Sequence, residues 1–541
     1  MRASDTGFVP PPEPQPPASP APGRTGHSPA PLPSLFPLVL AFMALIACFH
    51  IGSALVGKPL FRAIHLGTAL EYAHGPLNLL KPIIVGYNAN GAPAAQELPL
   101  WQAAVGLAFK LFGTWYGWAN VVTLLLFSTG LWPLFQLARR YAGDRAAWWC
   151  LIFFLCQPLI VLMAGMASTD GFCLMLSLWF LYFADRLVRE GGLTSWLAAT
   201  IFGALAAVSK LPFFMAAGLC SVGLLLLNGK RGWRPWLLLA LSGASAAAVF
   251  AVWWRYTDSL LAQAQFPYIQ LRLSASPYTR YWFFGDWRLR LSPGPWIKGA
   301  WRFLHGTLGA LPLAALLALA LVRPGNRFAK LWLAASFIPV LIFTNVVLVH
   351  WHYYLMCCPA VALLCGATLA AGEARWAPAL RSPWLAPSLL AIALLGSAID
   401  GMIASKFAIH YDYFPSEVAG LLRQYSRPDD KIILYGGDWG GEELFRSGRQ
   451  GVCVFQLASM PGTEGLVEML SNTNDLAHLR AMGYTKLVLM SESRVRFAAV
   501  AVNPGSHRRR ALYPQTISPE VDRWPVLYRS EDVLIKQIPS Q

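Results

Sequence analysis

Charge is what this 541-residue chain has least of. Asp, Glu, Lys and Arg make up 13% of the residues against 56% hydrophobic ones, and that balance excludes a soluble domain folded around a single core. A mean hydropathy of +0.46 reads instead as a protein that crosses a membrane many times. Acids are scarcer than bases, 27 against 43. The basic surplus does not mark nucleic-acid binding, because the Lys and Arg residues stand singly or in short groups between apolar runs, where membrane topology and anionic lipid phosphate account for them. Cysteine is sparse too. The nine cysteines fall mostly inside apolar runs, with only Cys453 in the carboxyl-terminal part, so neither a disulfide framework nor a metal-ligand spacing is available. The adjacent Cys357 and Cys358 read as small hydrophobes packed within a helix. There is no internal repeat and no matched pair of Gly/Pro-broken spans of the kind that inverted-repeat transporters carry. The stretch from Gly436 to Glu443 is glycine-rich but lacks the Lys-Ser/Thr that holds phosphates and metal, and it reads as a strand-to-helix turn.

What is present is a series of long apolar runs. A spanning helix needs roughly 20 such residues, and that ruler finds about eleven candidates. Their cores are Leu35–Val56, Trp118–Ala138, Ala147–Gly165, Phe172–Phe183, Leu193–Ser209, Leu211–Leu227, Pro235–Trp254, Gly299–Val322, Leu331–His350, Tyr353–Ala371 and Trp384–Ile403. Every second short loop is basic: Arg139, Arg140 and Arg145; Arg186 and Arg189; Lys230, Arg231 and Arg234; Arg323, Arg327 and Lys330; Arg375 and Arg381. Since short cytoplasmic loops collect positive charge, the amino terminus is expected in the cytoplasm and the carboxyl terminus outside it, in a multi-pass protein of the inner membrane. Residues 1–34 are proline-rich, cannot bury enough apolar surface to fold, and read as a disordered cytoplasmic tail. They lack the pattern of a cleaved signal peptide, so the first span is expected to remain as an anchor. Residues 35–403 form the membrane domain, and from 404 to 541 the composition changes to that of a small extracytoplasmic α/β domain. Its expected strands start at Ile432, Gly451, Lys486 and Val533, and its expected amphipathic helices are Ser416–Tyr425 and Asn474–Met482.

In a chain so poor in charge, ionisable side chains at the ends of apolar runs stand out. Asp170 lies between two runs that must each cross a bilayer, and a carboxylate there is a functional candidate because it costs several kcal/mol in hydrocarbon. The bland reading is a cap for the helix that follows. Lys210 ends another run, where it serves either a phosphate or a snorkelling role. Glu97 lies in a long outer loop, Gly57 to about Gly117, that also holds Arg62, His65 and Glu71; a long loop with its own helices is usually functional. His350, His352 and Tyr353 cluster at the end of a later run, as substrate contacts or as interfacial polar groups. The loop Arg255–Lys298 interleaves Tyr268, Tyr278, Tyr281, Trp282, Trp287 and Trp296 with Arg272, Arg280, Arg288 and Arg290. Rings at headgroup depth beside guanidiniums suit a lipid phosphate, or serve as lipid anchors alone.

The order of these pieces resembles the GT-C glycosyltransferases that use polyprenyl-phosphate sugars, which include the aminoarabinose transferases of lipid A and the protein O-mannosyltransferases. The resemblance runs over roughly Phe61 to Ala371. Residues 94–113, Ala-Ala-Gln-Glu-Leu-Pro-Leu-Trp continuing to Leu-Phe-Gly, are similar to that family's Glu-Lys-Pro-Pro-Leu-x-Tyr-Trp segment. Met166-Ala-Ser-Thr-Asp170 is similar to its acidic motif after the third span, Val208-Ser-Lys-Leu-Pro212 to its Thr-Lys-Gly-Pro, and His350-Trp-His-Tyr-Tyr-Leu to its His-Tyr-Tyr-Leu-Leu-Pro. The chain departs where the family carries an acid shortly after the first span, since Leu60 to Glu71 offers Arg62 and His65 there. The resemblance implies an all-α polytopic GT-C fold with transfer of a sugar from a polyprenyl phosphate to an envelope glycolipid, polysaccharide or protein. The base is then Asp170, Glu97, His65 or Glu71, with Asp170 and Glu97 favoured, and Lys210 with Arg62, Arg272 and Arg280 would stabilise the leaving phosphate. The donor is a lipid-linked substrate and no metal cage is present in the sequence. Two other classes compete: a transporter, which needs polar residues near the middle of several spans, and a non-catalytic envelope scaffold working through the carboxyl-terminal domain.

Overall fold

Breaks in the apolar runs decide how this chain is cut into helices. The structure, a computed structural model, describes residues 37, 41–42, 44–45, 59–83, 97–227, 232–263, 274, 277–309, 311–323, 325–376, 385–410, 413–435, 441–454, 477, 480–481, 483–490 and 519–539. The expected tail, and nearly all of the expected first span, lie outside these residues. Among the described residues five helices are long and apolar enough to cross a membrane: Gly117–Ala142, Thr169–Glu190, Leu193–Leu227, Trp233–Ala262 and Trp351–Gly372. Two bent pairs, Asp144–Cys156 with Pro158–Ala164 and Pro293–Leu308 with Leu313–Val322, bring the number to seven if each is one span. The protein is a mostly helical, multi-pass membrane protein.

Within the described residues several of the expected runs are broken or joined. The expected run Leu331–His350 is divided at Phe343 into Arg327–Ile342 and Thr344–Val349, each too short to cross alone. The expected run Ala147–Gly165 bends by 68° at Gln157-Pro158, where proline supplies no N–H and starts a new helix at its first position. The expected pair Leu193–Ser209 and Leu211–Leu227 forms one 35-residue element broken only at Lys210, whose backbone is extended at φ −164° and ψ 95°. A Cβ built on Gly203 would touch the Phe214 ring at 3.3 Å. On a straight helix those two residues would stand about 16 Å apart, so the two halves fold back toward each other around Lys210.

Among the described residues the carboxyl-terminal part forms a five-stranded sheet. β1 (Lys431–Tyr435) pairs in parallel with β2 (Gln450–Val454) and β3 (Tyr484–Met490), and β5 (Val533–Gln537) runs antiparallel to β3 and to the edge strand β4 (Val526–Arg529). Val418 and Leu422 of the helix Tyr413–Tyr425 bury against Ile432, Leu434, Val488 and Ile535, giving the small α/β unit that the sequence pattern indicates. β4 was not expected. Its residues are half-buried or exposed, which erases the apolar alternation that betrays an inner strand. The expected helix Asn474–Met482 lies mostly outside the described residues.

A short helix after β1, Glu442–Ser447, joins this sheet to the membrane domain. Its Phe445 leaves the sheet and buries with Leu66, Ala69, Trp101 and Phe172, 5.7 Å from the Tyr116 ring. Phe445→Ala should therefore cost about 3 kcal/mol by removing a buried ring from a packed seam. Limited proteolysis is the check: cleavage beyond residue 410 should accelerate while the membrane helices stay protected, and an unchanged cleavage rate would show that the seam contributes nothing.

Candidate active site

The helix Thr169–Glu190 begins at Ser168, whose hydroxyl oxygen accepts the Asp170 backbone N–H at 3.1 Å. The capping role open to Asp170 from sequence alone thus belongs to Ser168. The same hydroxyl donates to Asp170 Oδ2 at 2.8 Å, and Oδ1 accepts the Lys210 ammonium at 2.5 Å. Both residues are buried, Asp170 completely. Lys210 Nζ also lies 3.8 Å from Glu97 Oε1 and 4.9 Å from the centre of the Tyr353 ring, an ammonium on the electron-rich face. Glu97 Oε2 accepts the Thr169 hydroxyl at 3.0 Å. His352 Nε2 stands 3.8 Å from Asp170 Oδ2, within Coulombic range but beyond a direct hydrogen bond.

The break at Lys210 explains how Glu97 is brought in. Pro212 has no N–H, so the Val208 carbonyl four residues back loses its helical partner. The Leu98 N–H takes that place at 3.0 Å. One proline therefore opens the helix at Lys210 and supplies the hook for the Glu97 loop.

His65 stands on the helix Pro59–His74, which packs tightly on Leu100–Phe112. A Cβ on Gly106 would lie 2.8 Å from the Ala69 carbonyl oxygen, so only glycine permits this approach. One turn earlier on each helix, the Gln102 side-chain amide meets His65 Nδ1 at 2.8 Å. Burial first, and the nearby Lys210 charge second, lower the His65 pKa to about 3 against an opposing pull from Asp170. The imidazole is neutral across the working range. With Nδ1 accepting the amide N–H, its proton sits on Nε2, and the neutral ring is a poor base.

The structure thus brings Asp170, Lys210, Glu97, His352 and Tyr353 into one constellation with His65 beside it. His350 is one ring further out, 5.3 Å from His352 and 5.4 Å from Trp282. Arg280 is exposed on the helix Pro277–Phe284. The side chain of Arg62 and all of Arg272 lie outside the described residues. Sequence reasoning passed over Thr169 and Gln102. Thr169 adjoins Asp170 in the quoted motif and was legible as a hydroxyl at a helix start; nothing in the sequence ties Gln102 to His65.

Glu97 is the carboxylate that opens outward, with 24% of its side chain accessible against none for Asp170. Burial holds its pKa above the ordinary 4.5; Lys210 pulls it down, Asp170 pushes it up, and the Thr169 hydrogen bond again lowers it. Were Glu97 to serve as a general base, it would have to be ionised to take a proton, and turnover would then rise with pH along a limb set by Glu97, displaced above the usual carboxylate range. Thr169→Val removes one stabilising bond to the ionised form and should move that limb to still higher pH. A pH–rate profile identical to that of the unaltered protein would remove Glu97 as the titrating group.

Residues 96–256 match the dolichyl-phosphate-mannose-protein mannosyltransferase family, a window that holds Glu97, Asp170 and Lys210. No curated protein sequence matches the chain significantly. Among solved structures, ArnT from Cupriavidus metallidurans bound to undecaprenyl phosphate superposes with a TM-score of 0.58 at 14% identity, covering 94% of this chain and 99% of that one. Its apo state gives 0.53 at 15%, covering 93% and 98%. The mycobacterial arabinofuranosyltransferase AftD gives 0.50 at 16%, covering 93% of this chain and 40% of that larger one. The fold is therefore GT-C, with a small carboxyl-terminal sheet.

Proposed function

We propose that this protein is a membrane glycosyltransferase that moves a sugar from a polyprenyl-phosphate donor to a hydroxyl-bearing envelope acceptor. The observation that carries the reading is the Asp170–Lys210–Glu97 cluster, three scarce charges gathered where a spanning helix starts, another reverses and a loop is hooked to the break. The family match over 96–256 and the likeness to an undecaprenyl-phosphate-bound fold support it.

In this reading Glu97 takes the proton of the acceptor hydroxyl as its oxygen attacks the anomeric carbon. The bond from that carbon to the donor phosphate oxygen breaks, and polyprenyl phosphate leaves. Lys210 donates to Asp170, and its ammonium supplies the positive field under which the phosphate departs. Asp170 fixes that ammonium in place. His65 Nε2–H and the His350–Tyr353 group line the approach, and Arg62, Arg272 and Arg280 are the further cations for the phosphate. The basic loops support an extracytoplasmic position for this end of the bundle, on the outer side of the inner membrane, together with the carboxyl-terminal sheet. The donor lipid is a substrate, and the scheme calls for no cofactor.

Purified protein supplied with a polyprenyl-phosphate sugar and membrane-derived acceptors should transfer label to a glycolipid or glycoprotein. Asp170→Asn should lower turnover by about two or more orders of magnitude through loss of charge without loss of shape. Lys210→Ala should impair donor use far more than acceptor use, and binding should favour polyprenyl phosphate over the neutral alcohol by roughly tenfold or more. Transfer from a soluble nucleotide sugar, or equal affinity for the two lipids, would overturn the proposal.

A further inference from the structure

The His350–Tyr353 side of the cluster lies on chain with little helical support of its own. The helix Thr344–Val349 ends at His350, which has φ −108° and ψ 82°, and a 3-10 turn, Trp351–Cys357, carries His352 and Tyr353. Helix ends leave their last carbonyls without intrahelical partners, and 3-10 hydrogen bonds are poorer than α-helical ones. Yet His352 and Tyr353 are both buried against Asp170 and Lys210. Something outside the turn must hold it in register.

That support comes from the helix Pro293–Leu308. Its residues Gly299, Arg302, Phe303 and Gly306, at i, i+3, i+4 and i+7, form one face. A Cβ on Gly299 would run into the Leu348 side chain at 2.6 Å and the Tyr354 hydroxyl at 2.9 Å, and one on Gly306 would lie 3.3 Å from the Trp351 ring. Phe303 meets Tyr354 with ring centres 5.6 Å apart. Between these contacts Arg302 Nη1 donates to the Leu348 carbonyl and reaches the Val349 carbonyl at 3.4 Å. A guanidinium at a helix carboxyl end satisfies orphaned acceptors and complements the helix dipole, and its planar donor fork loses less freedom per bond than an ammonium would.

We propose that Arg302 is a positioning residue, which pins the end of Thr344–Val349 and thereby sets His352 against Asp170. It touches no reacting atom in this scheme and acts through His352. The proposal deepens the glycosyltransferase reading and rests on it for its kinetic consequence, but its structural consequence stands by itself.

The test is a double-mutant cycle on the full-length protein, with Arg302→Ala, His352→Ala and both together, assayed for transfer from a polyprenyl-phosphate sugar. Arg302→Ala should lower kcat about tenfold or more with the acceptor KM unchanged. The double variant should be no slower than His352→Ala alone, because residues that act as a unit are not additive. Arg302→Lys should recover only part of the loss, and millimolar guanidinium should restore turnover to Arg302→Ala. Independent losses that multiply, or full activity in Arg302→Ala, would overturn the proposal. Hydrogen exchange separates this failure from failure of the functional reading. Even if no transfer is found, Arg302→Ala should raise amide exchange within 345–357 and leave Thr169–Glu190 protected, and the Lys298→Ala control should leave exchange unchanged in both segments. Unchanged exchange in 345–357 would sink the positioning role whatever the protein catalyses.

Discussion

The buried ion pair between Asp170 and Lys210 is the constraint on which the rest of this architecture turns. Removing two charges from water costs several kcal/mol per ion, and a buried pair recovers that only with close geometry and further hydrogen bonds. Here the contact is 2.5 Å, Ser168 satisfies the second carboxylate oxygen, and the ammonium also faces Glu97 and the Tyr353 ring. Each partner in turn needs a feature of the backbone. Asp170 needs a helix that starts at Ser168; Lys210 needs a helix that stops where it stands. Pro212 provides the stop, and the carbonyl it frees fixes the Glu97 loop through Leu98. A local defect in one helix therefore becomes the means by which a distant loop delivers the outward-facing carboxylate.

Charge bookkeeping within the cluster explains a division of labour between the two acids. One cation is shared by two carboxylates, and the closer carboxylate holds it. Asp170, enclosed and doubly bonded, stays committed, whereas Glu97 keeps only the longer contact and a hydroxyl, with burial working against its ionisation. A neutral His65 fits the same logic, since a second full positive charge this close to Lys210 would compete for the same carboxylates.

Much of this was legible because the sequence is so poor in charge. Against apolar runs, Asp170, Lys210 and Glu97 are conspicuous without any knowledge of the fold, and their cost in hydrocarbon is itself the argument for looking at them. The sheet was legible from alternation at β1, β2, β3 and β5, and illegible at β4, where an edge strand buries too little for a pattern to form. Side chains that work across helices were hidden. Gln102 and Arg302 look like ordinary polar residues on amphipathic helices, and only the approach permitted by Gly106 and Gly299 reveals what they face. The reversal at Lys210 lies between these cases: the proline announces a break, but two short apolar runs do not say whether they continue or fold back until Phe214 is found against Gly203.

The carboxyl-terminal sheet follows from the same economy. A domain outside the bilayer gains nothing from the lipid, and its position over the membrane helices has to be secured by its own surface. Phe445 supplies an apolar anchor, and the ring it meets, Tyr116, has its hydroxyl proton held more tightly than usual, by burial first and then by the adjacent Glu442 carboxylate. Glu442 is itself bonded to Arg446 at 2.7 Å, so the seam is an aromatic contact rimmed by a charged pair, the arrangement expected where two folded units meet. Leu66 and Trp101 line that seam on the membrane side, and they are the sequence neighbours of His65 and Gln102. The packing that seats the sheet is thus continuous with the packing that orients His65, and a shift of the sheet would reach the site through two side chains that never touch substrate.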